Sequence, residues 1–302
     1  MQGGGNMSLK VNNLVKSYGD KLVVDDLSFS IDKPGVFGLL GTNGAGKTTT
    51  IRMMLGMLKK DGGTVTWNGN TYNPKEVATG YLAEERGIYS KFTVLDQLIY
   101  FGELKGMTRK DALKSIDYWL ERLEATEYKN QRAEQLSKGN QQKIQFIAAL
   151  ISNPDILILD EPLSGLDPVN TDLFKEVIKE EIAKGKYIIM SSHQMSTIEE
   201  FCENLVILNK GKTVLSGNLN TIKKSYGRNH LILKCDGDVR ELVEKSNMKI
   251  LNENQDYIEL GVNREEEATV LLKEILNRNI QVIRFELREP TLHEIFIEKV
   301  GE

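Results

Sequence analysis

A chain of 302 residues is long for one compact core and points to one large domain with a smaller companion. With 40% hydrophobic residues, 27% charged residues and a net charge of -4, the composition is that of an ordinary globular protein. The strongly basic balance that would suit nucleic acid or anionic lipid is absent, and Asn229 to Glu302, with 10 Lys/Arg against 16 Asp/Glu, is acidic.

The start, MQGGGNMSLK, lacks the apolar stretch of a secretory leader, and residues 1–7 are expected to be a disordered leader or cloning remnant. Leu9-Val15, Leu22-Ile31 and Val65-Tyr72 read as strands, broken at Tyr18-Gly19-Asp20, Pro34-Gly35 and Asn68-Gly69-Asn70. Between them, the apolar run Val36-Leu40 leads through a glycine-rich loop into Lys47-Leu58. There Ile51, Met54, Leu55 and Leu58 share one helical face. The stretch 93–153 reads as helical, with Leu113, Ile116, Leu120 and Leu123, then Ile144, Ile147, Ala148 and Ile151, at helical spacing. Ile156-Leu159 is apolar on both faces, as a central strand of a covered parallel sheet would be. A helix over Pro168-Ala183, a strand over Tyr187-Met190 and a hairpin around Asn209-Lys210-Gly211-Lys212 follow. After Gly217 the pattern restarts as strand 230–235, helix 237–245, strand 247–252, strand 256–261, helix 265–278, strand 280–288 and helix 290–299. That β-α-β-β-α-β order predicts a small ferredoxin-like α+β domain over 220–302. Cys202 and Cys235 have no CxxC spacing and read as buried thiols in a reducing compartment. No apolar run approaches the roughly 20 residues that a bilayer requires, so a membrane role would be peripheral and go through a partner.

Gly41-Thr42-Asn43-Gly44-Ala45-Gly46-Lys47-Thr48 fits GxxxxGK followed by Ser or Thr, a pattern that arises by chance roughly once in a hundred chains of this length. Its glycines let the backbone curl so that successive N–H groups, through Thr49, point at phosphate oxygens. The helix behind the loop presents its positive end to them. Lys47 is placed to neutralise β- and γ-phosphates and Thr48 to offer a hydroxyl to Mg²⁺. The apolar strand 156–159 ends in Asp160 and Glu161, where carboxylates face a ligand crevice. Asp160 is expected to bind Mg²⁺, directly or through water, and Glu161 to act as general base on the attacking water. His193 ends another apolar strand and is expected to contact the γ-phosphate.

These pieces, with Leu136-Ser137-Lys138-Gly139-Asn140-Gln141-Gln142, LILDEP, Ser164-Gly165-Leu166-Asp167 and His193, resemble the nucleotide-binding subunit of ABC transporters, whose signature is usually LSGGQ. The resemblance covers about Leu9 to Gly217. It implies an α/β P-loop NTPase core with an antiparallel β subdomain and a helical subdomain (about 93–153), together forming an ATPase domain over 8–219. It also implies a head-to-tail homodimer or heterodimer with two ATP molecules sandwiched. There Ser137, Gly139 and Asn140 would reach the γ-phosphate held by the opposite subunit, Asp167 would lie at the seam, and Tyr18 would stack on adenine. Ser137 reads as a helix N-cap in its own right.

Three positions depart from the family pattern: Lys138 replaces a Gly, Asn140 replaces a Gln, and Glu84 stands where a Gln near Mg²⁺ is usual. A carboxylate at Glu84 could hold the metal through water while adding negative charge beside ATP. EERG followed by Tyr89, LSKGNQQK, and the closing run Glu289 to Glu298 resemble the drug- and sodium-extrusion (daunorubicin-resistance-like) exporters. That resemblance implies a cytoplasmic ATPase, peripheral on the inner face of the membrane, on which a separate integral membrane permease docks beside loop 84–93 and the helical middle. The alternative is a non-transport ABC ATPase acting on ribosomes or nucleic acid. The single cassette, the lack of a long heptad run and the acidic tail weigh against it. In the C-terminal part, His230 and His293 read as isolated structural residues, and the domain is expected to serve dimerisation or regulation.

Overall fold

The computed structural model describes residues 7–85, 87–254 and 256–301; most of the expected disordered leader, 1–6, lies outside the described residues. The chain divides into two compact units, Met1–Ser216 and Gly217–Glu302.

In the first unit, β1 (Leu9–Tyr18), β2 (Lys21–Ile31), β4 (Gly62–Trp67) and β5 (Asn70–Thr71) form an antiparallel sheet in the order β2-β1-β4-β5. A second sheet is built on β3 (Gly35–Gly41), β6 (Thr79–Leu82), β7 (Ile156–Asp160), β8 (Tyr187–Ser192), β9 (Cys202–Asn209) and β10 (Lys212–Asn218), in the order β10-β9-β3-β8-β7-β6. Every pairing from β9 to β6 is parallel. All five residues of β7 and all six of β8 are buried, which is why these strands read as unbroken apolar runs: both faces are covered. One face carries Leu39, Ile158, Ile189 and Val206 into a shared core with Leu14, Leu27 and Phe29 of the antiparallel sheet and with Ile51 and Met54 of α1 (Lys47–Met54). Phe29 stacks on Phe37 at 4.6 Å, closing the two sheets together.

The helical stretch comprises α2 (Val94–Leu104), α3 (Arg109–Arg122) and α4 (Lys138–Leu150). Thr93, Thr108 and Ser137 cap them, each hydroxyl accepting the N–H three residues on. Two further helices, α5 (Pro168–Ala183) and α6 (Met195–Phe201), link β7 to β8 and β8 to β9. Phe146 of α4 stacks on Phe174 of α5 at 4.6 Å.

The second unit opens with α7 (Leu219–Tyr226), a capped two-turn helix that the sequence reading leaves out. Then come β11 (His230–Asp236), α8 (Arg240–Lys245), β12 (Lys249–Glu253), β13 (Ile258–Gly261), α9 (Glu265–Asn277), β14 (Gln281–Arg288) and α10 (Leu292–Gly301). The sheet order β12-β13-β11-β14, with all three pairings antiparallel, is the ferredoxin-like arrangement. Leu231, Leu233 and Leu260 of the sheet pack with Leu242, Val243, Leu271 and Ile275 of α8 and α9. His230 is not isolated, contrary to expectation. Its Nδ1 lies 3.0 Å from Glu259 Oε1, and Arg288 binds both Glu259 (2.5 Å) and Glu294 (2.7 and 2.8 Å). His230, Glu259 and Glu294 are close enough to hold a metal, yet the Arg288 guanidinium already supplies the positive charge that the buried Glu259 and half-buried Glu294 carboxylates require. Sequence spacing hides this cluster because its members come from β11, β13, β14 and α10.

Among the described residues, no helix is long and apolar enough to cross a membrane.

Candidate nucleotide site

The loop between β3 and α1 is held open by glycine geometry. Gly41, Gly44 and Gly46 have φ of 152°, 78° and 108°. A Cβ on Gly41 would stand 2.4 Å from the Leu208 carbonyl oxygen, and one on Gly46 would stand 2.7 Å from that of Val23. The first helical N–H to be taken up is that of Thr50, by Gly46 O. The N–H groups of Gly46, Lys47, Thr48 and Thr49 meet no acceptor among the described residues. Four free amides at the positive end of a helix form a cradle suited to phosphate oxygens.

Lys47 lies in this cradle with 6% of its surface exposed. Its Nζ donates to the Gly41 carbonyl at 2.8 Å and stands 3.2 Å from Glu161 Oε1, without the alignment of a hydrogen bond. Glu161 is 5% exposed and has φ of 52°, a left-handed conformation that a residue with a Cβ adopts only under constraint. The constraint is visible: Ser191 Oγ accepts the Glu161 N–H at 3.0 Å and donates to Asp160 Oδ1 at 2.5 Å. His193 Nδ1 closes on Glu161 Oε2 at 2.9 Å. Ser191, from the end of β8, is therefore a site residue that the sequence reading did not single out. The Ser191-Ser192-His193 strand end was its only signal.

Asp160 is 1% exposed, and its Oδ2 has no hydrogen-bond partner. Burial pushes its carboxyl above the usual range; the Ser191 and Thr48 hydroxyls pull it back, and the charges of Glu84 and Glu161 push it up further. The same environment lifts the Tyr81 phenol to about 12, through burial and then the Asp160 charge. Thr48 Oγ1 donates to Glu84 Oε2 at 3.5 Å. An orphaned carboxylate oxygen, a threonine hydroxyl and a further carboxylate are hard oxygen donors of the kind Mg²⁺ prefers, so the residues fit that ion.

The structure thus brings Lys47, Thr48, Glu84, Asp160, Glu161 and His193 to one crevice at the C-terminal ends of β3, β7 and β8. Tyr18, at the end of β1, is 53% exposed, with Lys16 Nζ 5.3 Å above its ring. The hairpin that carries it reaches the loop through Val23 against Gly46. Ser137, Gly139, Asn140 and Asp167 form a separate group. Asp167 caps α5 by accepting the Asn170 N–H at 3.0 Å, and Asn170 Nδ2 lies 3.7 Å from where a Gly139 Cβ would be. Among the described residues these four make no hydrogen bond or ion pair with the Lys47 group. Among the described residues nothing requires Gly139 to be glycine, since a Cβ there would meet only ordinary contacts.

Two family models match the chain: ABC transporter over residues 24–164, and ATP-binding protein DrrA1-3-like, C-terminal domain, over residues 217–300. The chain is 46% identical to the ABC transporter ATP-binding protein YhaQ of Bacillus subtilis, over 97% of this chain and 98% of that protein. It is 31% identical to the linearmycin resistance ATP-binding protein LnrL of Bacillus subtilis, again over 97% and 98%. A solved structure of an ATP-binding subunit of an ABC transporter superposes with a TM-score of 0.66 at 29% identity, covering 72% of this chain and 93% of that one.

Proposed function

Because the chain belongs to the ATP-binding subunits of ABC transporters, ATPases that power a separate permease, we propose that it hydrolyses Mg·ATP at the Lys47 crevice between two head-to-tail ATPase subunits and drives export. The free N–H groups of Gly46 to Thr49 receive the β- and γ-phosphate oxygens, and Lys47 neutralises them from within the loop. Thr48 and Asp160 would hold Mg²⁺, with Glu84 as a further carboxylate beside it; the ion would supply charge neutralisation on the phosphates. Glu161 accepts the proton of the water that attacks the γ-phosphorus, and the bond from that phosphorus to the leaving ADP oxygen breaks. His193, poised on Glu161, contacts the γ-phosphate, and Tyr18 offers its exposed ring to adenine. Ser137, Gly139, Asn140 and Asp167 face the nucleotide of the opposite subunit. The lack of any internal demand for glycine at position 139 supports that role.

The permease docks beside loop 84–93, where a groove of about 330 Å³ is lined by Met57, Tyr81, Ile88, Phe101 and Leu104. On this reading the chain is a peripheral subunit on the cytoplasmic face of the membrane. Export follows the relatives named for linearmycin resistance and Nod factor export. We assign residues 8–219 to the ATPase domain and 220–302 to dimerisation or regulation.

The convergence of buried Lys47, Asp160 and Glu161 on the glycine loop carries this reading. Glu161→Gln is expected to keep ATP affinity and lower turnover by roughly 10²–10⁴. Near-normal turnover in that variant removes Glu161 from the role of base.

A further inference from the structure

Two departures from the family pattern carry opposite charges. Glu84 is exposed, its Oε2 rests against the Thr48 hydroxyl, and among the described residues it meets no cation, whereas neighbouring Glu85 faces Arg52 at 3.7 Å. Among the described residues its negative charge therefore has no balancing cation at the threonine that closes the phosphate loop. Lys138 is also exposed and makes no ion pair among the described residues. It is the first residue of α4, whose opening turn carries no acidic residue, so its charge opposes the positive end of the helix dipole. Among the described residues of one subunit neither charge finds a partner.

From this arrangement we infer that Glu84 of one subunit pairs with Lys138 of the partner subunit across the ATP-bound seam, an exchange of charge that replaces the usual neutral residues at both positions. The inference rests on the head-to-tail reading. If the helix start at Ser137 covers the opposite γ-phosphate, the adjoining residue lies beside the Thr48 hydroxyl that Glu84 touches. Glu84 Oε1 is then free to accept from the Lys138 ammonium of the partner subunit while Oε2 remains on Thr48. The pair is isologous, so each dimer holds two copies, one over each nucleotide. It offsets the repulsion between Glu84 and the triphosphate only when the seam is closed, and so favours the closed, nucleotide-loaded dimer over the open one.

The full chain is titrated for dimer formation by analytical ultracentrifugation with Mg²⁺ and a non-hydrolysable ATP analogue. Lys138→Ala is expected to weaken dimerisation about tenfold in the otherwise unaltered chain, and by less than about twofold in a chain that also carries Glu84→Gln. A second measurement mixes a Glu84→Cys chain with a Lys138→Cys chain and adds a short bifunctional thiol reagent, because the two long side chains of an ion pair hold their backbones too far apart for a direct disulfide; the two should cross-link with the analogue and not without it. Equal cost of Lys138→Ala in both backgrounds shows that Lys138 acts on the phosphate itself and overturns the pair, as does absence of the cross-link in a dimer that forms normally. If the unaltered chain binds the analogue and stays monomeric, the head-to-tail reading fails and the pair falls with it.

Discussion

Lys47 Nζ and Glu161 Oε1 face each other at 3.2 Å, with both side chains almost wholly withdrawn from water. The lysine is the charge that makes a buried glutamate tolerable, and on the proposed reading the same lysine serves phosphate when nucleotide arrives. Lys47→Ala removes both roles. ATP affinity is expected to fall by about two orders of magnitude by calorimetry, and the nucleotide-free chain to lose about 3 kcal/mol of stability by denaturant titration. Unchanged stability would show that Glu161 finds another partner.

Ser191 ties the two acidic residues together through one hydroxyl, donating to Asp160 and accepting from the Glu161 backbone. Ser191→Ala is expected to lower the apparent Mg²⁺ affinity and turnover by about 10–100-fold, while ATP affinity measured in EDTA stays near normal. Ser191→Thr keeps the hydroxyl and should recover part of the loss. Equal losses in the two variants would mean that the hydroxyl is not what matters.

Asp167 is the N-cap of α5, followed by Pro168 at the first helical position. Asp167→Ala should cost about 1 kcal/mol and lower the thermal midpoint of the first unit by about 2–4 °C. Asp167→Asn preserves an acceptor and should cost less. If Asp167 also lies at a dimer seam, ATP-dependent dimerisation will suffer in both variants, separating the seam role from the cap.

Glu294 carries the clearest pH signature. Burial opposes its charge, but hydrogen bonds from Arg288 and Thr291 outweigh it and hold the carboxyl at about 2, against an ordinary value of 4.5. Because the folded value is the lower one, the stabilisation is complete above about pH 4.5 and is lost as pH falls toward 2. At full strength it is on the order of 3 kcal/mol. Hydrogen exchange of the β11 and β14 amides should accelerate across that window, and Arg288→Ala should flatten the dependence.

Local spacing made much of the chain legible. The glycine loop, the Asp160-Glu161 strand end and the Ser137 cap each depend on neighbours within a few residues. So does the alternation that gave the strand and helix order of the second unit. What escaped depends on residues far apart in the chain. Ser191 looks like any small residue at a strand end until β8 is placed beside β7. His230 looks solitary until Glu259, Arg288 and Glu294 arrive from three other elements. Helix α7 escaped for a different reason: Leu219, Ile222 and Tyr226 share one face, but its eight residues, LNTIKKSY, make only two turns, too few for the period to stand out from a linker.

The strand order has a consequence for biosynthesis. Strand β8 lies between β3, which leads into the glycine loop, and β7, which ends in the acidic pair. A nascent polypeptide that has already exposed Gly41 to Thr49 and Asp160 to Glu161 therefore lacks the strand that sits between them in the sheet. Only when Tyr187–Ser192 has left the ribosome and slotted into the gap can the halves of the crevice meet. Termination before Tyr187 is therefore expected to leave fragments that lack Ser191, His193 and the strand that seats them, and with them a complete crevice for ATP turnover.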